Sequence, residues 1–167
     1  MKNVAFGILI IFFAFLGCRN DDDSIQRIDQ ILDIYMKDSL GRDLLNTNTE
    51  GAFTAISMND VQGTTDTAPV SYSSLVASDS VNYIRYLAGA RRITKDSISP
   101  DDRTYESIIA LAITKKLTDS TTTVLNDTLR IEYHWSPSVF QVSKVYYNND
   151  LKFTKEPNVS NVVTIVK

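Results

Sequence analysis

The sequence predicts an all-β fold, organised as a two-sheet antiparallel β-sandwich of immunoglobulin-like or similar type with about eight strands. Three observations support this prediction. β-Branched and aromatic residues cluster in short runs that polar segments separate. Glycine and proline are sparse, with 6 and 4 residues. Turn signals recur about every 8 to 12 residues, a spacing typical of strands joined by short antiparallel turns.

The first half of the domain contains four predicted strands, of which residues 81–87 alternate apolar with polar residues. The four strands are residues 31–37, 54–58, 81–87 and 91–94. Gly41 lies in the turn after the first strand, where a positive φ suits glycine. Residues 61–80 are rich in Ser and Thr and are interpreted as a long loop with one edge strand near Val70. A turn at Ala88 and Gly89 is predicted to join the last two strands into a hairpin.

The predicted strands of the second half are longer and more apolar. They are residues 105–114, 127–135, 141–147, 151–154 and 162–166. Alternation along residues 127–135 places one apolar face toward the core, formed by Leu129, Ile131, Tyr133 and Trp135. Asn148 and Asn149 indicate a tight hairpin turn. Residues 24–32 carry apolar side chains at helical spacing and are the helical candidate, with a tether as the alternative because the run is short.

The composition excludes several classes of function. The net charge is -3 and the pI about 5.1, so the chain lacks the basic stripe that nucleic-acid binding requires. One cysteine and one histidine exclude a disulfide framework, multi-cysteine zinc patterns and any site with two imidazoles. We therefore expect no cofactor, no metal and no nucleic-acid partner.

The N-terminal residues predict a signal peptide followed by a tether. Lys2 precedes an apolar run of about 13 residues, which fits a secretory signal but is short of the ~20 residues that span a bilayer. We assign residues 1–17 to a cleaved signal peptide, residues 18–30 to a polar tether that begins with Cys18, and residues 31–167 to a single domain. The alternative is an uncleaved anchor or a short core helix with a buried thiol.

Residues 15–18, Phe-Leu-Gly-Cys, resemble a bacterial lipobox, with Phe15 where Leu is more usual. The resemblance implies that the Cys18 thiol carries diacylglycerol and that the new amino group is also acylated, with chains such as palmitate. Each buried methylene contributes about 0.8 kcal/mol, so two or three chains hold a protein almost irreversibly. The mature protein is therefore expected to be attached to a membrane without spanning it.

The acidic residues Asp21, Asp22 and Asp23 resemble the export signal of Bacteroidota lipoproteins. Residues 38–46 and 121–167 resemble small lipoproteins of the same group, most closely at residues 144–151 and 164–167. The resemblance implies a β fold and attachment to the outer membrane, with display on the cell surface. It brings no assigned activity. The plain alternative for the acidic stretch is a solvated spacer.

His134 is the one side chain that suggests acid–base chemistry. The sequence has no Gly-x-Ser-x-Gly elbow, and Cys18 is not available as a nucleophile once it is acylated. Alternation points His134 away from Tyr133 and Trp135, toward solvent. We therefore predict that the protein is not an enzyme. The enzymatic alternative requires His134 to line a pocket with a carboxylate within hydrogen-bond reach.

Aromatic residues on three predicted strands suggest a binding surface. The candidates for stacking on a ligand are Tyr83, Tyr86, Trp135 and Tyr147. Flat rings with polar neighbours can stack on sugar faces or contact a partner protein. The alternative is that these rings form the core and that the tyrosine hydroxyls reach its rim. Tyr146 and Tyr147 are adjacent on one strand, so one of them is expected to leave the core.

A tripeptide of Asp, then Ser or Thr, then a residue such as Ala, Ile, Leu, Val or Thr recurs along the chain. It occurs at residues 23–25, 38–40, 66–68, 79–81, 96–98, 119–121 and 127–129. It resembles the O-glycosylation acceptor of exported Bacteroidota proteins, which makes Ser39, Thr67, Ser80 and Ser97 the candidate acceptors. The alternative is that these residues form turns beside strands.

These observations together predict an outer-membrane, lipid-anchored, non-enzymatic binding or accessory module whose ligand is unknown. The alternative is a glycan-binding surface lipoprotein of a polysaccharide-uptake system, and an unfamiliar enzyme is less favoured. The expected partners are the membrane, through the lipid, and a glycan or a protein.

Overall fold

A computed structural model describes residues 25–118 and 120–167, and every regular element in these ranges is a β-strand. The all-β prediction is confirmed. The eleven strands are β1 (Arg27–Asp29), β2 (Leu32–Lys37), β3 (Phe53–Asp60), β4 (Tyr72–Val76), β5 (Asn82–Tyr86), β6 (Ile93–Ser99), β7 (Asp102–Lys116), β8 (Thr122–Trp135), β9 (Val139–Tyr147), β10 (Asp150–Thr154) and β11 (Val162–Val166).

The strands form two sheets. The large sheet has seven strands in the order β1-β9-β8-β7-β3, with β10 also paired to β9 and β6 also paired to β7. It curls into a half-barrel. The small sheet has four strands in the order β11-β2-β5-β4. β1 runs parallel to β9, and β11 runs parallel to β2. The sheets are therefore mixed, which corrects the prediction of wholly antiparallel sheets.

Three predicted elements differ from the structure. The edge strand predicted near Val70 within the loop at residues 61–80 lies slightly later, as β4, and is a full edge strand of the small sheet. The helical candidate instead contains β1 and the start of β2, because cross-strand pairing such as Ile28 with Phe140 outweighs a short helical pattern. The predicted hairpin of residues 81–94 is not formed. The chain turns at Gly89, where φ is 129°, and passes from β5 in the small sheet to β6 in the large one.

One apolar core lies between the two sheets. On β8 the predicted alternation is confirmed, because Leu129, Ile131 and Tyr133 are fully buried. β7 presents Ile109, Leu111 and Ile113 on the same face. The small sheet contributes a facing layer from alternate residues of its strands, formed by Leu32, Ile34, Met36, Ile84, Tyr86, Val163 and Ile165. This burial is the main source of stability for the fold.

A partly buried polar cluster joins the start of the domain to its last loop. Lys155 Nζ donates to Asp29 Oδ2 at 2.7 Å and to Asn161 Oδ1 at 2.8 Å. Asn161 Nδ2 donates to Asp29 Oδ1 at 2.8 Å and to the Ile31 carbonyl at 2.9 Å. Together with β1, this cluster places residues 27–30 in the folded domain rather than in the tether predicted for residues 18–30.

Candidate binding cleft

An aromatic cleft lies at one end of the large sheet, where β7, β8 and β9 are adjacent. Trp135 at the end of β8 is paired with Phe140 at the start of β9. Tyr105 lies on the neighbouring strand β7 and faces the Phe140 ring, with centroids 6.5 Å apart. The cleft encloses about 380 Å³. Its lining residues are Gln26, Ile28, Gln30, Arg92, Tyr105, Trp135 and Phe140.

The aromatic wall follows from strand alternation and register. Tyr133 and Trp135 are two residues apart on β8, so both project from the same face of the sheet. Tyr133 is buried and stacks under Phe140, with centroids 5.3 Å apart and planes 16° from parallel. Burial raises the pKa of the Tyr133 hydroxyl, which therefore stays protonated and neutral at physiological pH. The buried Tyr133 ring thus packs against the Phe140 ring and holds it in position in the cleft.

The cleft lining continues from β9 onto the adjacent strand β1 and its flanking residues. The backbone N–H of Arg27 donates to the Ser138 carbonyl at 3.0 Å, and Gln26 Nε2 donates to the Ser136 carbonyl at 2.6 Å. These bonds fix β1 beside the loop between β8 and β9. Ile28 is 64% exposed at the mouth of the cleft. An exposed apolar residue between two glutamines gives this part of the lining both contact area and hydrogen-bonding groups.

Two arginines lie against the aromatic wall. The Arg92 guanidinium is 4.6 Å from the centroid of Phe140 and 5.3 Å from that of Tyr133, and its Nη2 donates to Gln30 Oε1 at 2.5 Å. Arg103 is 5.1 Å from the centroid of Trp135. Such cation–π contacts are favourable and hold the guanidinium groups against the rings. The cleft is therefore apolar on its rings and cationic at its rim.

The structure separates the four predicted aromatic residues. Trp135 is half-buried in the cleft. Tyr83 lies on the outer face of the small sheet, where it stacks on Tyr35 with centroids 5.2 Å apart. Tyr86 and Tyr147 are buried core residues, and only Trp135 and Tyr83 of the four can therefore offer a ring to a ligand. As expected for neighbours on a strand, Tyr146 faces outward, beneath Arg130.

The two buried tyrosines have internal partners. The Tyr86 hydroxyl accepts from the backbone N–H of Ala90 at 3.2 Å. The Tyr147 hydroxyl donates to Asp127 Oδ2 at 2.8 Å. Burial raises the pKa of Tyr147, and the bond to the Asp127 carboxylate raises it further. Both hydroxyls thus have roles inside the fold.

His134 lies on the outer face of the large sheet. Its Nε2 is 3.1 Å from Asp102 Oδ1, and both side chains are partly exposed. The carboxylate that the enzymatic alternative requires is present. None of the four clefts described among the placed residues is lined by His134.

The four candidate glycosylation residues, Ser39, Thr67, Ser80 and Ser97, are all exposed. Two of the preceding aspartates also form turns. Asp38 Oδ1 accepts from the backbone N–H groups of Leu40 and Arg42, and Asp79 Oδ1 accepts from that of Val81. At residues 38–40 and 79–81, the serine hydroxyl group is therefore accessible while the preceding aspartate forms a turn.

Several predictions fall on residues outside the described ranges. Cys18, the signal peptide and the acidic residues 21–23 belong to this group. Among residues 25–118 and 120–167, no helix is long and apolar enough to cross a membrane, and no group of three or more His, Cys, Asp or Glu side chains could hold a metal ion.

No protein family, curated protein or solved structure matches this chain. The function is therefore inferred from the chemistry of the cleft. Sequence reasoning identified Trp135 but missed Tyr105, Phe140 and Arg92. These residues lie on or beside other strands, and only the pairing of β7, β8 and β9 brings them together. One available signal was not used: Trp135 and Phe140 flank the short turn between two predicted strands, which places them opposite each other in a hairpin.

Proposed function

We propose that the protein is a lipid-anchored outer-membrane lipoprotein that acts as a non-enzymatic binding module of two sheets, and that its ligand is a glycan held in the Trp135 cleft. The single observation that carries the choice of ligand is the combination in one cleft of a Trp, a Tyr and a Phe ring with glutamine and arginine side chains.

This combination suits sugars because a sugar ring has an apolar face and a polar edge. The apolar face stacks on a flat aromatic ring, and the hydroxyl groups need neighbouring donors and acceptors. Gln26 and Gln30 offer both kinds of group, and Arg92 offers donors. A volume of about 380 Å³ is within the usual range for small-ligand sites.

Affinity electrophoresis in gels that contain single soluble polysaccharides tests the choice of ligand. The probes are a neutral glucan, a galactomannan, a xylan, an alginate and a polygalacturonate. The wild-type domain is expected to be retarded by at least one of them, and Trp135→Ala is expected to lose the retardation.

Tyr83→Ala is the matched control, because Tyr83 is also a partly exposed aromatic but lies on the other sheet. It is expected to keep the retardation. Loss of retardation in Tyr83→Ala with retention in Trp135→Ala would move the binding surface to the outer face of the small sheet.

The anchor is supported by the lipobox-like residues before Cys18 and by the acidic stretch that follows it. Metabolic labelling with a palmitate analogue is expected to mark the wild-type chain and not Cys18→Ser. Treatment of intact cells with a non-permeant protease tests surface display, with a periplasmic protein as the control for lysis. Survival of the domain on intact cells calls for a non-permeant biotin label, which separates an inward-facing domain from a compact or glycan-shielded one.

We also propose O-glycosylation at the exposed acceptors Ser39, Thr67, Ser80 and Ser97. Peptide mass spectrometry of protein from its native host is expected to find hexose-containing masses on these peptides. If the peptides of all four sites carry no glycan, the proposal is wrong and the recurring tripeptides serve only to form turns.

A further inference from the structure

We propose that the Trp135 cleft selects acidic glycans and binds the carboxylate of a uronic acid through the guanidinium of Arg92. This inference rests on the proposed glycan-binding function and adds the chemical class of the sugar. It is carried by three features of the cleft: the free donors of Arg92, the absence of a competing carboxylate among the lining residues that the structure describes, and the position of the guanidinium over Phe140 and Tyr133.

Arg92 has hydrogen-bonding capacity to spare. A guanidinium carries five N–H donors, and in the cleft the Arg92 side chain donates only to Gln30. The side chain is exposed, so its remaining donors reach the space above Phe140. A carboxylate fits this group because two parallel N–H···O bonds match the guanidinium fork.

Among residues 25–118 and 120–167, no carboxylate lines the cleft. In the described ranges, Arg42, Arg85 and Arg130 form ion pairs with acids, as with Asp38, Asp33 and Glu132. Arg27, Arg91, Arg92 and Arg103 form none with an acid of the described ranges. Of these four, Arg92 lines the cleft and Arg103 lies against its Trp135 ring. The local excess of positive charge complements an anionic ligand.

The position of Arg92 is fixed before a ligand arrives. Its guanidinium lies over two stacked rings, Phe140 and Tyr133, and is held at its edge by Gln30. A group that is already ordered loses little conformational entropy on binding. Trp135 and Tyr105 line the same cleft, so a sugar ring can stack there while its carboxylate reaches Arg92.

The test compares each acidic oligosaccharide with its own carboxyl-reduced form by isothermal titration calorimetry. The probes are oligogalacturonates, alginate oligomers and oligoglucuronates of equal length. Reduction replaces only the carboxylate by an alcohol, so the two ligands keep the same ring and linkage. We expect at least one acidic oligomer to bind about tenfold or more tightly than its reduced partner.

Arg92→Gln is expected to abolish this preference, so that the acidic oligomer and its reduced partner bind the variant with equal affinity. Arg42→Gln is the control, because it removes the same charge from an exposed ion pair away from the cleft. It is expected to keep the preference.

Arg92→Lys keeps the charge but lacks the guanidinium fork. Its preference for the acidic oligomer is expected to lie between those of the wild type and Arg92→Gln, and this variant replaces Arg92→Gln if the latter does not fold.

Equal affinity for the acidic and reduced forms would overturn the selectivity and leave the glycan-binding function standing. An unchanged preference in Arg92→Gln would overturn the role of Arg92. Both proposals would be overturned if no oligomer, acidic or reduced, binds in calorimetry and no polysaccharide retards the protein in the gels.

Discussion

At the scale of single residues, Lys155 shows how polar side chains hold the N-terminal strand. Its side chain is 8% exposed, and its ammonium group donates to Asp29, to Asn161 and to the Val159 carbonyl. All three ammonium hydrogens therefore have acceptors, which a charge removed from water requires.

Replacement of Lys155 by Met is expected to destabilise the domain by about 3 kcal/mol, because Asp29 and Asn161 lose their buried partner. The free energy of unfolding in urea measures this loss. Lys152→Met is the control, since Lys152 pairs with the exposed Asp150 and such pairs contribute about 0 to 1 kcal/mol. Equal losses in the two variants would contradict a structural role for the cluster.

Asp127 makes stability depend on pH. Burial raises the pKa of its carboxyl group, but hydrogen bonds from Asn148, Lys167 and Tyr147 lower it more, so the pKa lies below the ordinary 3.8. A carboxyl group whose pKa is lower in the folded state contributes stability above its unfolded pKa. That contribution is lost as the pH falls through the folded pKa.

We therefore expect the unfolding free energy of the wild type to decrease from about pH 5 downward, and Asp127→Asn to show a shallower decrease. Urea titrations at a series of pH values measure the two slopes. Asp66→Asn removes an exposed carboxylate and is expected to keep the wild-type slope. If the unfolding free energy of Asp127→Asn decreases with pH as steeply as that of the wild type, Asp127 does not cause the pH dependence.

At the scale of elements, β1 connects the start of the described chain to the cleft. It is only three residues long and pairs with β9 alone. Its side chains are mostly exposed, so backbone hydrogen bonds and the Lys155 cluster hold it in place. Ligand affinity is therefore expected to depend on the pairing of β1.

Arg27→Pro tests this dependence, because proline removes the N–H that donates to the Ser138 carbonyl. Arg27→Ala also lacks the arginine side chain but keeps the N–H. We expect Arg27→Pro to weaken glycan binding and to increase hydrogen exchange at residues 139–141, with Arg27→Ala close to wild type in both. Equal affinity of the two variants would show that β1 does not support the cleft.

The sequence predicted the second half of the fold better than the first. β8 and β9 have clear alternation, and the turn between β9 and β10 has Asn148 and Asn149 at positive φ of 49° and 71°, which asparagine tolerates. The edge strand predicted near Val70 lies slightly later in the chain, as β4, and its extent was underestimated because Ser73 and Ser74 resemble a loop, although the strand pairs fully with β5. The partner of a strand depends on tertiary packing, which local patterns do not encode.

The same limit applies to the cleft. Trp135 was predicted from its own strand. Arg92 has no local signal, because its role arises only when the chain crosses from the small sheet to the large one and places it over Phe140. The parallel pairing of β1 with β9 could not be read from two short segments more than a hundred residues apart.

At the scale of the whole molecule, the proposed anchor and the cleft lie close together along the chain. Cys18 precedes Gln26 by eight positions in the sequence, and an extended chain spans at most about 3.3 to 3.6 Å per residue. The acylated cysteine would therefore hold the cleft within about 30 Å of the lipid surface. A glycan ligand would be captured at the membrane rather than far from it.

The central claim is that the Trp135 cleft binds a glycan, and the fluorescence of Trp135 tests it most directly. Trp135 is the single tryptophan of the chain, so its emission reports on this cleft alone. Titration with the oligosaccharide that binds in calorimetry is expected to change the emission saturably, with the same dissociation constant. Heat of binding without any change in the Trp135 emission would place the ligand elsewhere and contradict the claim.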